Sequence, residues 1–145
     1  MTIHVKLIQP ITTHGIRKDD HLSSMKLDDL KVTAKGIDIG PNSIECEYEE
    51  AMSQPDTILK IIDAENEGCD AAVIDCMGDP GLKGARECVS IPVVGPCETA
   101  MHYASMLGHK FTVVTVLERL IPQFENQSLL SVSYTHLTLP TICSV

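Results

Sequence analysis

Tryptophan is absent, and three tyrosines and two phenylalanines are the whole aromatic complement of the 145 residues. The core must therefore be aliphatic, built from Ile, Val, Leu, Met and Ala in a chain that is 43% hydrophobic. Positive charge is also scarce: 11 Lys and Arg stand against 20 Asp and Glu, a formal net charge of −9. That balance argues against a nucleic-acid partner, because phosphate neutralisation needs clustered cations. No apolar run approaches the roughly 20 residues of a membrane span, so no membrane partner is expected. The stretch Met1-Thr2-Ile3-His4-Val5-Lys6-Leu7-Ile8 reads as a strand and has neither the basic region nor the cleavage site of a signal peptide. A cytoplasmic, reducing location is the expectation. The cysteines then read as free thiols, and none of the six forms a Cys-x-x-Cys pair. No His-x-x-x-His occurs either, so neither a metal nor a zinc-stabilised fold is expected.

What is present is an alternation of short aliphatic runs and amphipathic stretches. Ile3 to Ile8 reads as a first strand, followed by a polar loop from Pro10 to Ser24 long enough to be functional. Lys31 to Ile39 reads as a second strand. Glu49 to Glu67 reads as a helix with Ile58, Ile61 and Ile62 on one face and Gly68 at its C′ position. Ala71 to Asp75 is a continuous apolar strand of the kind buried on both sides in a parallel sheet. Asp79-Pro80 supplies an N-cap and an N1 proline for a helix to about Val89, with Leu82, Ala85 and Val89 inward. Ile91 to Val94 is a further strand, and Pro96 to Leu107 a helix carrying Cys97, Ala100, Met101 and Ala104 at helical spacing. Phe111 to Val116 reads as a fifth strand, and a helix opens at Leu117. Repeated βα units of this kind predict an α/β fold with a doubly wound parallel sheet.

Within this pattern the run Ala71-Ala72-Val73-Ile74-Asp75-Cys76-Met77-Gly78-Asp79-Pro80-Gly81-Leu82 carries the chemistry. Cys76 falls at the carboxyl end of a parallel strand, where open α/β sheets form their ligand crevices. The N–H groups of the next helix favour negative charge there, so a thiolate is the expected state. Cys46, Cys69, Cys88 and Cys97 read as buried small hydrophobes. Asp79 reads as an N-cap, His102 as a helix-face histidine without chemistry, Glu98 as a dipole partner of its own helix, and Glu45, Glu47, Glu49 and Glu50 as a solvated acidic face.

The segments Gly68-Cys69-Asp70-Ala71, Asp75 to Leu82, Ala85-Arg86-Glu87, Ile91 to Glu98, Ala100-Met101-His102, Leu107-Gly108 and Phe111 to Thr115 together resemble the aspartate/glutamate/hydantoin racemase superfamily, and its hydantoin-racemase-like branch most closely. The resemblance covers residues 40 to 125 well and the first 39 loosely. It implies two similar α/β domains facing each other across a cleft, with one cysteine from each acting on opposite faces of the substrate's α-carbon. No metal or pyridoxal cofactor takes part in that scheme. Opposite faces are needed because inversion requires an acid and a base on either side of the carbon. Carried onto this sequence, Cys76 matches the catalytic cysteine of the first domain. Gly78 and Asp79 match the turn beside it, and Thr115 and Val116 a substrate-side loop of the second domain. The loop after the first strand, Asn-Pro-Asn-Thr in the family, is Gln9-Pro10-Ile11-Thr12 here, which makes Gln9, Pro10 and Thr12 substrate-binding candidates with altered carboxamides.

The resemblance places a first domain over residues 1–108 and the start of a second over 109–130. Residues 131–145 read as a non-native tail, because Val132 to Thr141 coincides in all ten positions with a translated transposase sequencing adapter. Cys143 and His136 carry no weight on that reading. The second catalytic cysteine would lie further into the second domain than this chain extends, so a fragment, inactive by itself, is expected. The implied substrate is a small molecule, an amino acid or a 5-substituted hydantoin, and the full-length parent is open to homo-oligomer formation. Two alternatives use the same thiol: a decarboxylase or maleate-type isomerase of the same superfamily, and a non-catalytic thiol redox or ligand-binding module.

Overall fold

The computed structural model describes residues 2–13 and 28–131. Their strands are β1 (Ile3–Gln9), β2 (Leu30–Gly36), β3 (Ala71–Ile74) and β4 (Val93–Val94). The helices are α1 (Glu47–Asn66), α2 (Leu82–Cys88), α3 (Pro96–Leu107) and α4 (Ile121–Ser131), with a 3₁₀ turn at Glu118–Leu120. The strands form one sheet of order β2-β1-β3-β4, and every pairing is parallel. Register runs from Ile3 opposite Leu30 to Gln9 opposite Gly36 on one side of β1, and from Val5 opposite Ala71 to Ile8 opposite Ile74 on the other.

That order sets where a site can form. The chain leaves β1 for β2 on one side and then crosses back through α1 to β3 on the other. The loops after β1 and β3 therefore diverge, and a crevice opens between them at the carboxyl end of the sheet. The connection over residues 14–27, where most of the long polar loop falls, lies outside the described residues.

The aliphatic core follows from composition. Ile8, Ile61, Ala72, Ile74, Leu82, Ala85 and Val93 are buried together, with Ile58, Cys76, Val89 and Ile91 packed against them. Each large aliphatic among them stabilises the fold by about 1.5–3 kcal/mol. Helix α1 stops where expected. Gly68 adopts φ 81°, its N–H donates to the Glu65 carbonyl at 2.9 Å, and the Cys69 N–H reaches Ala64 at 3.0 Å, which is the Schellman arrangement.

Four expectations are corrected. Phe111 to Val116 joins no ladder and holds only an isolated bridge at Phe111. The segment alternates between half-buried and exposed residues, Phe111 and Val113 resting on a second cluster of Cys97, Met101 and Phe124, but no neighbouring strand among the described residues completes it. Strand β2 ends at Gly36, since the amides of Asp38 and Ile39 turn to the Asp56 carboxylate at 2.5 and 2.9 Å. Helix α2 starts at Leu82, with Gly81 and not Asp79 at its N-cap. Cys88 is exposed and Cys46 half-buried, while Cys69 and Cys97 are buried as expected.

A candidate active site at the carboxyl end of the sheet

Cys76 begins a tight turn that the Asp79 N–H closes on the Cys76 carbonyl at 3.1 Å. The Gly78 N–H points back at the Cys76 sulfur, 3.5 Å away. Asp79 then adopts φ 51°, a left-handed conformation that Asp tolerates better than most residues. This strain is held by what the side chain does. Its buried carboxylate accepts the N–H of Cys97 at 2.9 Å and of Glu98 at 2.7 Å, the free donors at the start of α3. Asp79 is a helix cap, but of α3 and not of the helix that follows it. Gly95 makes the contact possible, because a Cβ there would lie 2.5 Å from the Asp79 carboxylate and 2.6 Å from Leu82.

The turn forms one wall of an open cavity of about 540 Å³, within the range of small-molecule sites. The loop after β1 supplies Gln9, Pro10, Ile11 and Thr13, and the loop after β2 supplies Asn42, Ser43 and Ile44. Opposite stand Val113 to Val116, Leu120, Gln123 and Phe124. Of the residues singled out from sequence, the fold brings Gln9, Pro10, Cys76, Gly78, Thr115 and Val116 to this cavity. Thr12 and Asp79 are not among its lining residues. Thr12 laces the two loops: its N–H donates to the Pro41 carbonyl at 2.9 Å, and its hydroxyl lies 2.6 Å from the Asn42 side-chain oxygen. Asn42, Ser43, Gln123 and Phe124 were not singled out, and nothing local marks them; they arrive by tertiary packing.

The electrostatics differ from expectation. Burial raises the Cys76 thiol, and the charges of Glu50, Asp79 and Asp75 raise it further, against the opposing Gly78 N–H. These influences favour the protonated thiol over the thiolate. The expectation of a thiolate rested on the next helix, which is short and starts too late to offset burial and the surrounding carboxylates. Cys97, beneath the site, is pushed up to about 12 by burial first and then by Asp79. Burial also raises the Asp79 carboxyl, although the N–H groups of Glu98 and Cys97 pull the other way. Glu50 overturns the reading of a solvated acidic face. It is half-buried, accepts a hydrogen bond from the Gln123 carboxamide, and is pushed to about 7 by burial, Glu47 and Asp79. Among the described residues no group of His, Cys, Asp and Glu is arranged to hold a metal ion.

A parallel, doubly wound α/β sheet with its thiol-bearing crevice at the topological switch point is the class that this architecture defines. The sequence matches the Asp/Glu/Hydantoin racemase family over residues 20–130, and the chain belongs to that family. It is 44% identical over 124 residues to the hydantoin racemase of Pseudomonas sp. (strain NS671), covering 84% of this chain and 50% of that protein. To the hydantoin racemase of Rhizobium meliloti it is 36% identical over 126 residues, 86% of this chain and 52% of the relative. The chain thus spans about half the length of these curated relatives. Among solved structures it resembles the allantoin racemase from Klebsiella pneumoniae, with a TM-score of 0.88 at 27% identity over 95% of this chain and 57% of that one. The allantoin racemase from Pseudomonas fluorescens shares the fold, with a TM-score of 0.78 at 22% identity over 94% of this chain and 60% of that one. No helix among the described residues is long and apolar enough to cross a membrane.

Proposed function

We propose that the chain supplies the first half of a cofactor-independent hydantoin racemase, with Cys76 as one of two cysteine acid/base groups. The observation that carries this reading is the Cys76 thiol at the switch-point crevice, in a cavity whose described polar groups are mainly carboxamides and hydroxyls. Gln9, Asn42, Ser43, Thr115 and Gln123 suit the carbonyls and N–H groups of an uncharged ring, and among the described residues the one charged lining residue is the acid Asp75. An amino-acid carboxylate would meet that acid, so a 5-substituted hydantoin fits better than an acidic amino acid. Val113, Val114, Val116 and Phe124 provide an apolar wall for the substituent. Gln9, Pro10, Gly78, Thr115 and Val116 are the substrate-contacting residues in this reading, while Thr12 and Asp79 hold loops and turn in place.

The proposed reaction is inversion at the ring carbon. A base on one face removes its proton, and the electron pair spreads into the adjacent carbonyl, where hydrogen-bond donors stabilise it. The neutral Cys76 thiol then delivers a proton to the opposite face and becomes the thiolate. For the mirror-image substrate the roles reverse. The second thiol comes, on this proposal, from the part of the relatives' length that this chain does not span. The raised proton affinity of Cys76 supports this acid role and disfavours a peroxide-sensing thiol, which needs thiolate near neutral pH.

The test is solvent deuterium exchange at the ring carbon of a 5-monosubstituted hydantoin. The chain is joined for this purpose to the second half of the Pseudomonas sp. relative. Exchange is expected, and Cys76→Ser is expected to lower it by at least about 100-fold. Exchange that survives the substitution at full rate sinks the assignment of Cys76.

A further inference from the structure

We propose that Glu50 is a positioning residue for Cys76: bonded to Gln123 against the Gly78 backbone, its carboxyl group sets how tightly the thiol holds its proton. The inference rests on Cys76 being the working thiol of the proposed reaction, but its test needs no turnover.

Three elements meet at this point. Glu50 projects from the first turns of α1, Gln123 and Gln127 from α4, and Gly78 of the turn after β3 lies against them. A Cβ on Gly78 would fall 2.5 Å from the Gln123 amide nitrogen and 3.0 Å from a Glu50 oxygen, so the bonded Glu50–Gln123 pair packs directly against the Cα face of this glycine. Gln127 also holds this glycine, donating from Nε2 to the Gly78 carbonyl at 2.8 Å. The Gly78 N–H in turn faces the Cys76 sulfur. Glu50 therefore acts on the thiol in two ways, by fixing the turn that carries it and by its charge.

The charge has little near it to cancel it. The acids facing Glu50 are Glu47 on its own helix and Asp79 in the turn, and the thiols of Cys76 and Cys97 feel its field. From α4 it meets the neutral carboxamide of Gln123. Lys83 and Glu98 line, with Glu50, a smaller cavity of about 220 Å³ behind the turn. Glu50 titrates at about 7, so its charge appears within the neutral range. Once it appears, like-charge repulsion disfavours the thiolate, and the two groups titrate as a pair. The consequence for catalysis is a thiol kept protonated, ready as the acid, as pH rises past neutrality.

The experiment is alkylation of the chain by iodoacetamide from about pH 6 to about pH 9, with the rate at Cys76 read by peptide mass spectrometry. Thiolate alkylation through an isolated thiol rises tenfold per pH unit below its pKa. Here the rise is expected to slacken by about threefold around neutrality, giving a shoulder. Glu50→Gln keeps an oxygen for the Gln123 amide and removes the charge. It should erase the shoulder and raise the rate at about pH 8 by about threefold. Gln123→Met keeps the charge and should keep the shoulder. A wild-type profile without a shoulder, or a shoulder that survives Glu50→Gln, overturns the proposal. Neither result depends on whether hydantoin is turned over, so the two readings fail separately.

Discussion

The two ends of β3 carry a cysteine each, and they are built on opposite electrostatic plans. Before the strand, the buried Cys69 sulfur sits 3.6 Å from His4 Nδ1, and the groups around it are paired. Lys6 meets Glu67, and the backbone N–H of His4 donates to the Asp70 carboxylate at 2.7 Å. After the strand, Cys76 shares its surroundings with Glu50, Asp75 and Asp79, and among the described residues no cation acts on its thiol. A cysteine beside a histidine looks the more reactive by proximity alone. Yet burial lowers that histidine below its usual value, disfavouring the imidazolium a thiolate would need. The comparison teaches that burial favours the protonated thiol at both ends, and that only at the carboxyl end do gathered acids add to it without an opposing cation. Of the two, Cys76 is the thiol that lines the open cavity.

Three perturbations sharpen this contrast. The largest effect is expected from Asp79→Ala, which strips the cap from α3, leaves two amides without their acceptor and puts Ala in a left-handed conformation. Denaturant titration should show a loss of about 2–4 kcal/mol. A loss below half a kcal/mol would mean that the cap is not what holds the turn. Next is Glu50→Gln, whose effect on stability depends on pH. The folded carboxyl titrates at about 7 against an ordinary 4.5, so the folded state binds the proton more tightly. The stability contribution of Glu50 is therefore full below the ordinary value and lost as pH rises through about 7. The variant should melt like the wild type at about pH 5 and be more stable by about 1–2 kcal/mol at about pH 8. An equal effect at both pH values would show that Glu50 is not ionising in a buried setting. Smallest is Glu67→Gln at the other end. Glu67 is exposed, and solvent and salt screen its pairing with Lys6, so thermal midpoints at low and high salt should be unchanged.

Much of the architecture is legible in local pattern. The Ala71 to Ile74 run, the Gly68 stop and the Gly95-Pro96 start each follow from propensity and backbone geometry within a few residues. Phe111 to Val116 shows the limit: its alternation of burial is that of a strand, but a strand also needs a neighbour. Asp79 shows another. A capping residue was legible, but its partner was not, because Asp79 and the Cys97 amide are 18 positions apart and meet only when β3 and β4 align. Among four nearby acids, nothing in the sequence distinguishes Glu50. Its partner Gln123 is 73 residues away.

By itself the sequence determined the α/β alternation, the aliphatic core and the position of Cys76 at a strand end. These depend on short-range periodicity and steric preference. The tertiary structure alone decided that burial and nearby acids surround Cys76, that Glu50 turns inward, and that the loops after β1 and β2 close one side of the cavity. Proton affinity and cavity shape depend on which distant groups are brought within a few ångströms and how much water is excluded from them. Neither quantity exists until the sheet is assembled in the order β2-β1-β3-β4.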